Sequence, residues 1–234
     1  MTDILIRAEG LSKNFKPHDN RDGLKKRFLG LFDASRPSRA EPFKAVSDVS
    51  FTLRKGESLA LLGHNGSGKS TLLQLLSGIY VPSSGRVFTS GRVAPLIELG
   101  VGFHQELTGE ENIYLNASLF GMTNKETRAK FNDIVEFSGL GNFIHSPVRT
   151  YSSGMYMKLG FSVAVHVEPK ILLADEVLAV GDQEIKQKCH QRIRDMQSDG
   201  MALILVTHAE DDARNFCQRY LKLEQGQIVE QGRF

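Results

Sequence analysis

The run Gly63-His64-Asn65-Gly66-Ser67-Gly68-Lys69-Ser70 fits the pattern GxxxxGK[ST], and each residue type in it suits the handling of phosphate. Glycines let a backbone curl until successive N–H groups face phosphate oxygens, and a helix starting at the end of the loop adds its dipole. Lys69 can then reach the β and γ phosphates and Ser70 can ligate Mg2+, with Thr71 completing the binding set. Ile171-Leu172-Leu173-Ala174-Asp175-Glu176 is an apolar run that closes in two carboxylates, 106 residues after Lys69. Asp175 suits Mg2+ and its water shell. Glu176, one residue farther, can orient or deprotonate a water that attacks a γ phosphate. Such a pair at a strand end could instead cap a helix; following a phosphate loop, the catalytic reading is preferred.

These residues need a frame. Ile4 to Ala8 and Val49 to Leu53 alternate apolar and polar positions, as half-buried strands do. Ser58 to Leu62, the glycine loop and Ser70 to Ser77 give a strand, a loop and a helix. Ile171 to Ala174 and Ala202 to Val206 read as buried strands, each followed by a helix, Gln183 to Gln197 and Ala209 to Cys217. This alternation implies a parallel sheet covered by helices. From about 108 to 166 the chain reads as helical, over Gly109 to Phe120, Lys125 to Phe137 and Gly154 to Val167. A helical subdomain inserted into the α/β core is therefore expected. Tyr220 to Glu224 and Gln227 to Glu230, around Gln225-Gly226, read as a closing hairpin.

The 234 residues carry 29 Lys+Arg against 27 Asp+Glu, a net charge of +2, which gives no support for bulk nucleic-acid binding. Cys189 and Cys217 stand alone, outside any zinc spacing and too few for a disulfide scaffold. No apolar stretch approaches 18 residues and the start lacks the apolar run of a signal peptide, so a cytosolic protein, or one held at a membrane by a partner, is expected. The charge is uneven: Arg21 to Lys44 holds seven basic and three acidic residues, a local +4 that leaves −2 for the rest. This basic insertion, residues 17–44, contains a short amphipathic piece, Leu24 to Phe32. It is either a solvated loop or a contact for a membrane or partner surface.

Tyr151-Ser152-Ser153-Gly154-Met155 opens a helical run, with Ser152 23 residues before Asp175, and His208 follows the strand Ala202 to Val206 in the sequence VTHAE. Alone, Ser152 is a helix N-cap. The order of phosphate loop, serine–glycine segment, acidic strand end with a following Glu, and His after a core strand resembles the ATPase subunit of ABC transporters. In that family the signature usually reads LSGGQ; here Tyr151, Ser153 and Met155 depart from it while Ser152 and Gly154 remain. YSSGM, Gly100 to Ala117 (GVGFHQELTGEENIYLNA), Asp175 to Asp182 (DEVLAVGD) and the insertion after the first strand look like the branch that exports O-antigen, capsule and teichoic-acid polymers. The resemblance covers almost the whole chain.

It implies a single nucleotide-binding domain over residues 1–234. The fold would be α/β: a P-loop NTPase (RecA-like) core with an antiparallel β subdomain and the inserted α-helical subdomain. It implies an ATPase with ATP and Mg2+ as cofactors, acting as a head-to-tail homodimer. Gly63, His64, Asn65, Gly66, Ser67, Gly68, Lys69, Ser70 and Thr71 would hold ATP. Phe15 would stack on adenine, with Phe43 as a rival. Ser70 and Asp175 would hold Mg2+, with Glu98 a further candidate because Glu98 or Leu99 falls near the family's metal-linking glutamine while Gln105 sits later. Ser152, Ser153 and Gly154 would contact the γ phosphate bound by the other subunit. Asp182 would cross the dimer interface, and Glu176, His208 and Lys69 would be catalytic. The implied partners are a dimer of an integral-membrane permease, docked near residues 98–112 with Phe103 and Leu99 as contacts, and through it a lipid-linked polysaccharide; no nucleic acid is implied. The implied location is peripheral, at the cytoplasmic face of the inner membrane. Two rivals explain less: an ABC ATPase acting on nucleic acid or ribosomes, and a P-loop kinase.

Overall fold

The computed structural model describes residues 3–15, 42–96, 100, 102–175, 183–207 and 210–234. Strand β1 (Ile4–Phe15) pairs antiparallel with β2 (Phe43–Arg54) on one side and β4 (Ser84–Thr89) on the other, forming a three-stranded sheet. A second, six-stranded sheet runs β5 (Val93–Leu96), β6 (Ile171–Asp175), β7 (Ala202–Val206), β3 (Ser58–Leu62), β8 (Arg219–Glu224), β9 (Gln227–Arg233). Its pairs are parallel except the hairpin β8–β9.

Helix α1 (Lys69–Leu76) follows β3 directly. Between β5 and β6 stand α2 (Gly109–Leu119), α3 (Asn124–Ser138), two short 3-10 turns and α4 (Ser153–His166). Helices α5 (Gln183–Ser198) and α6 (Glu210–Phe216) follow β6 and β7. Among the described residues no helix is long and apolar enough to cross a membrane.

Strand period decides what each core strand touches. Leu59, Leu61, Ile171, Leu173, Ile204 and Val206 face a core shared with the three-stranded sheet and with Leu72, Leu73, Leu75 and Leu76 of α1. Their neighbours Ala60, Leu172, Ala174, Leu203 and Leu205 face the opposite way, against Phe161 and Ala164 of α4, Ile193 of α5 and Phe216 of α6. A sheet covered on both faces has continuous rather than alternating apolar strands, as β6 and β7 do. Truncating any of these leucines to Ala is expected to cost about 2–5 kcal/mol.

The three inserted helices bury a cluster of their own, built on Ile113, Ala117, Ile134, Leu159 and Val163. Both α2 and α3 open on a capping box, Thr108 with Glu111 and Thr123 with Glu126. The carboxylates of Glu111 and Glu126 accept N-cap backbone and hydroxyl hydrogens, which lowers their pKa values.

Strands β4 and β5 escape the sequence pattern for physical reasons. β4 is an exposed edge with only Val87 half covered, so no apolar alternation marks it. β5 has four residues, one of them Pro95, and proline is tolerated there because the strand is the edge of its sheet.

Candidate active site

The glycine loop leaves the C-terminal end of the central strand β3, and its shape is fixed by what surrounds it. Gly63 and Gly68 have φ of 143° and 104°. A Cβ on Gly63 would lie 2.4 Å from the Leu223 carbonyl oxygen, and one on Gly68 2.4 Å from that of Ala45. Neither position therefore admits a side chain. The walls come from distant sequence: the Gly226 N–H in the β8–β9 turn donates to Ser67 O at 2.9 Å, and the Ser47 N–H of β2 donates to Gly226 O at 2.8 Å. Gly66, with φ of 81°, has no atom of the described residues within 4 Å of where its Cβ would stand.

Gly68 is the N-cap of α1 in left-handed conformation, with no capping side chain and no acidic residue in the first turn. The first-turn N–H groups and the positive end of the dipole are thus available to an anion. Lys69 is buried, and its ammonium donates to Gly63 O at 2.7 Å and His64 O at 2.9 Å. The Ser70 hydroxyl donates to Asp175 Oδ2 at 2.9 Å across 105 residues of sequence. Parallel pairing makes this meeting possible: Leu61 of β3 and Asp175 of β6 both register with Val206 of β7.

A hydroxyl and a carboxylate at that spacing suit a hard cation. Neighbouring corners of an octahedron with bonds of about 2.1 Å are about 3 Å apart. Among the described residues no cluster of three His, Cys, Asp or Glu side chains could hold a metal alone, so further ligands would come from phosphate oxygens and water.

A pocket of about 470 Å³ covers the loop, lined by Asn65, Gly66, Gly68, Lys69, Ser70, Thr71 and Asp175, with Phe43 and Ala45 along one side. Phe43 is 62% exposed at its lip. Phe15 is directly opposite Phe43 in the β1–β2 ladder, but its ring packs edge-on against Tyr80 at 5.5 Å with the Lys13 ammonium over both rings. Of the two aromatics considered for adenine stacking, the pocket takes in Phe43.

The second serine–glycine segment lies at another helix N-terminus. Ser152 caps α4, its hydroxyl accepting from Met155 N–H at 3.2 Å, and no acidic residue occupies the first turn. Ser152 and Ser153 are exposed. Among the described residues nothing demands glycine at 154, because a Cβ there would meet only Ser152 Oγ, at 3.9 Å. Tyr151 anchors the segment through a bond from its hydroxyl to Phe143 O at 2.7 Å.

The stretch from 100 to 109 is tied to this same segment. Val148 N–H donates to Leu107 O at 2.9 Å, Arg149 N–H to Gln105 O at 3.0 Å and Gly109 N–H to Ser146 O at 3.2 Å. Fully buried Asn112 shares the two hydrogens of its Nδ2 among His104 O, Leu107 O and Thr108 O, and its Oδ1 accepts from His104 N–H. Tyr156 of α4 donates to Gly100 O at 2.7 Å and packs edge-on against Phe103 at 5.0 Å. Sequence reasoning missed Tyr156, Asn112 and the loop walls Ala45, Leu223 and Gly226. Only the positive-φ Gly226 in its turn carries a local signal.

Glu98, Leu99, Glu176, Asp182, His208 and most of the basic insertion, including Leu24 to Phe32, lie outside the described residues. Cys189 and Cys217 are buried and their thiols are pushed up to about 12, so they serve as small apolar side chains.

A family profile described as ABC transporter matches residues 46–179, more than half of the chain. The chain is 51% identical over 194 residues to the O-antigen export system ATP-binding protein RfbB of Klebsiella pneumoniae, covering 83% of this chain and 79% of that protein. It is 39% identical over 232 residues to the teichoic acids export ATP-binding protein TagH of Lactococcus lactis, covering 98% of this chain and 49% of that protein. Among solved structures, a dimeric post-hydrolysis ATP-binding cassette bound to ADP and Pi shares the fold, with TM-score 0.77, 20% identity and 98% coverage of both chains.

Proposed function

We infer from this site, and from the fact that the chain belongs to the ABC transporter family, that it is the ATP-hydrolysing subunit of an exporter of lipid-linked cell-surface polysaccharide. The observation that carries the enzymatic part is the bond between Ser70 and Asp175, next to buried Lys69 and the uncapped start of α1. The polymer class rests on the relatives that act in O-antigen and teichoic-acid export.

ATP binds with its phosphates over the glycine loop and its adenine toward Phe43. Lys69 exchanges the carbonyls of Gly63 and His64 for phosphate oxygens. Ser70 and Asp175 would hold Mg2+, which when bound neutralises charge on the β and γ phosphates. Glu176 orients the attacking water and His208 contacts the γ phosphate. The chain contributes positioning and fixed charge, the means by which phosphoryl transfer is accelerated.

One chain supplies half a site. The exposed cap at Ser152 and the unforced glycine at 154 support a role outside their own chain, against the γ phosphate held by a second copy in a head-to-tail dimer. Asp182 belongs to that interface. Closure of the dimer then drives a separate membrane permease docked beside residues 98–112 at the cytoplasmic face. The hydrogen bonds joining 105–109 to 146–149 support that docking site, because movement there reaches the signature segment through backbone alone.

The test removes water activation. Glu176→Gln is compared by light scattering with and without MgATP, and an ATP-dependent dimer is expected. A chain that stays monomeric and still releases phosphate would refute the assignments of Glu176 and Ser152.

A further inference from the structure

Arg92 joins the sheet to the helical unit through one side chain. Its backbone belongs to the sheet: Arg92 O accepts from Lys170 N–H at 2.9 Å and Ile171 N–H at 3.2 Å, at the entrance to β6, and Arg92 directly precedes β5. Its guanidinium leaves the sheet and reaches the ends of all three inserted helices. Nη1 donates to Val167 O, the C-cap of α4, at 2.8 Å. Nη2 donates to Gly121 O, just past α2, at 2.8 Å and lies 3.4 Å from Glu126 Oε1 in the first turn of α3. Arg192 of α5 adds a weaker bond, 3.3 Å to Val165 O. The C-terminal carbonyls of α4 thus meet arginine from the core, which complements the negative end of its dipole.

We propose that Arg92 is a positioning residue for ATP hydrolysis, fixing the angle at which α4 presents Ser152 and Gly154 to the nucleotide of the partner subunit. The inference rests on the reading that this segment works in trans. Leverage makes it a matter of activity as well as packing. Helix α4 is about 20 Å long, so a rotation of about 3° at the Val167 end displaces Ser152 by roughly 1 Å, an error that can cost about a hundredfold in a positioned reaction. Lysine cannot replace the planar fork, because one ammonium cannot hold the geometry of the Val167, Gly121 and Glu126 contacts together.

The experiment compares Arg92→Ala, Arg92→Lys and Ser152→Ala in the purified chain, measuring kcat, ATP KM, affinity for a fluorescent ATP analogue and the circular-dichroism spectrum. Arg92→Ala is expected to lower kcat at least tenfold while KM and analogue affinity stay within twofold, because the glycine loop is untouched. Arg92→Lys is expected to fall between parent and Ala, and it decides the matter if the Ala variant does not fold. A parental kcat in Arg92→Lys overturns the proposal, and so does a folded, fully active Arg92→Ala. So does a joint loss of kcat and analogue affinity, which marks a general loss of structure. Loss of activity in Ser152→Ala with none in Arg92→Ala refutes the role of Arg92 alone, whereas full activity in Ser152→Ala refutes the trans reading beneath it.

Discussion

The N-terminus of α1 is walled in by its own chain, whereas that of α4 faces outward with its two serines exposed. Neither has an acidic residue in its first turn, but α1 lacks a capping side chain whereas at α4 the Ser152 hydroxyl accepts from Met155 N–H. At α1 the shape is forced by Ala45 O, Leu223 O and the Gly226 turn, so glycine is required for reasons internal to the monomer. At α4 the glycine has room among the described residues, and the proposed reason for it is the nucleotide of a second copy. Substitutions at the two ends should therefore part company: at α1 they harm nucleotide binding and structure together, and at α4 they harm turnover while nucleotide affinity of the single chain is kept.

The largest effect is expected for Gly68→Ala. Left-handed backbone costs an L-residue about 1–2 kcal/mol, and the new Cβ would have to displace the Ala45 carbonyl from 2.4 Å. Since about 1.4 kcal/mol is a factor of ten, ATP-analogue affinity by calorimetry and kcat/KM should each fall at least about a hundredfold. Affinity within threefold of the parent would show that the loop wall yields, and the contrast between the two ends would collapse.

Next comes Ser152→Ala. Loss of the cap to Met155 N–H should lower stability by about 1 kcal/mol, and on the proposed role in the partner's site, loss of the hydroxyl should lower kcat roughly thirtyfold, with analogue affinity of the single chain unchanged. A parallel fall in affinity would mean that α4 shapes its own chain's pocket.

Gly154→Ala separates stability from activity more sharply. Alanine in a helix is favoured over glycine by about 0.5–1 kcal/mol, so the thermal midpoint should rise by about 1–4 °C. If this surface meets the ATP of a second copy, as proposed, a methyl group there should nevertheless cut kcat about tenfold. A variant that is more stable and equally active would remove the dimer interface from this face.

How much could be read in advance follows the same division. The glycine loop, Asp175 at a strand end and the three inserted helices were legible because each depends on residues adjacent in sequence: a glycine spacing, an apolar run, a helical period. Ala45, Leu223 and Gly226 were not, since they meet the loop only after two sheets have packed. The resemblance put Phe15 ahead of Phe43 for adenine, whereas the pocket over the loop takes in Phe43; the two are directly opposite in a ladder whose register nothing local reveals. Arg92 belongs to no motif in the sequence, and its contacts exist only where α2 and α4 end and α3 begins. Strands β4 and β5 were lost to exposure and to Pro95.

The smallest effect is expected at Ser67, which sharpens the comparison because it sets one serine against another. Ser67 is fully buried and, among the described residues, its Oγ has no hydrogen-bond partner, although its N–H donates to His64 O at 3.2 Å and its carbonyl accepts from Gly226 N–H. The loop thus uses this residue's backbone and leaves its hydroxyl stranded. A buried, unsatisfied polar group costs about 1–3 kcal/mol, partly offset in Ser67→Ala by the small void left behind, so stability should rise by about 0.5–1 kcal/mol with kcat within twofold. The test is a denaturant midpoint alongside steady-state ATPase. If Ser67→Ala lost tenfold in kcat while Ser152→Ala kept its rate, the working serine would be the buried one, and α4 would have no claim on the phosphate.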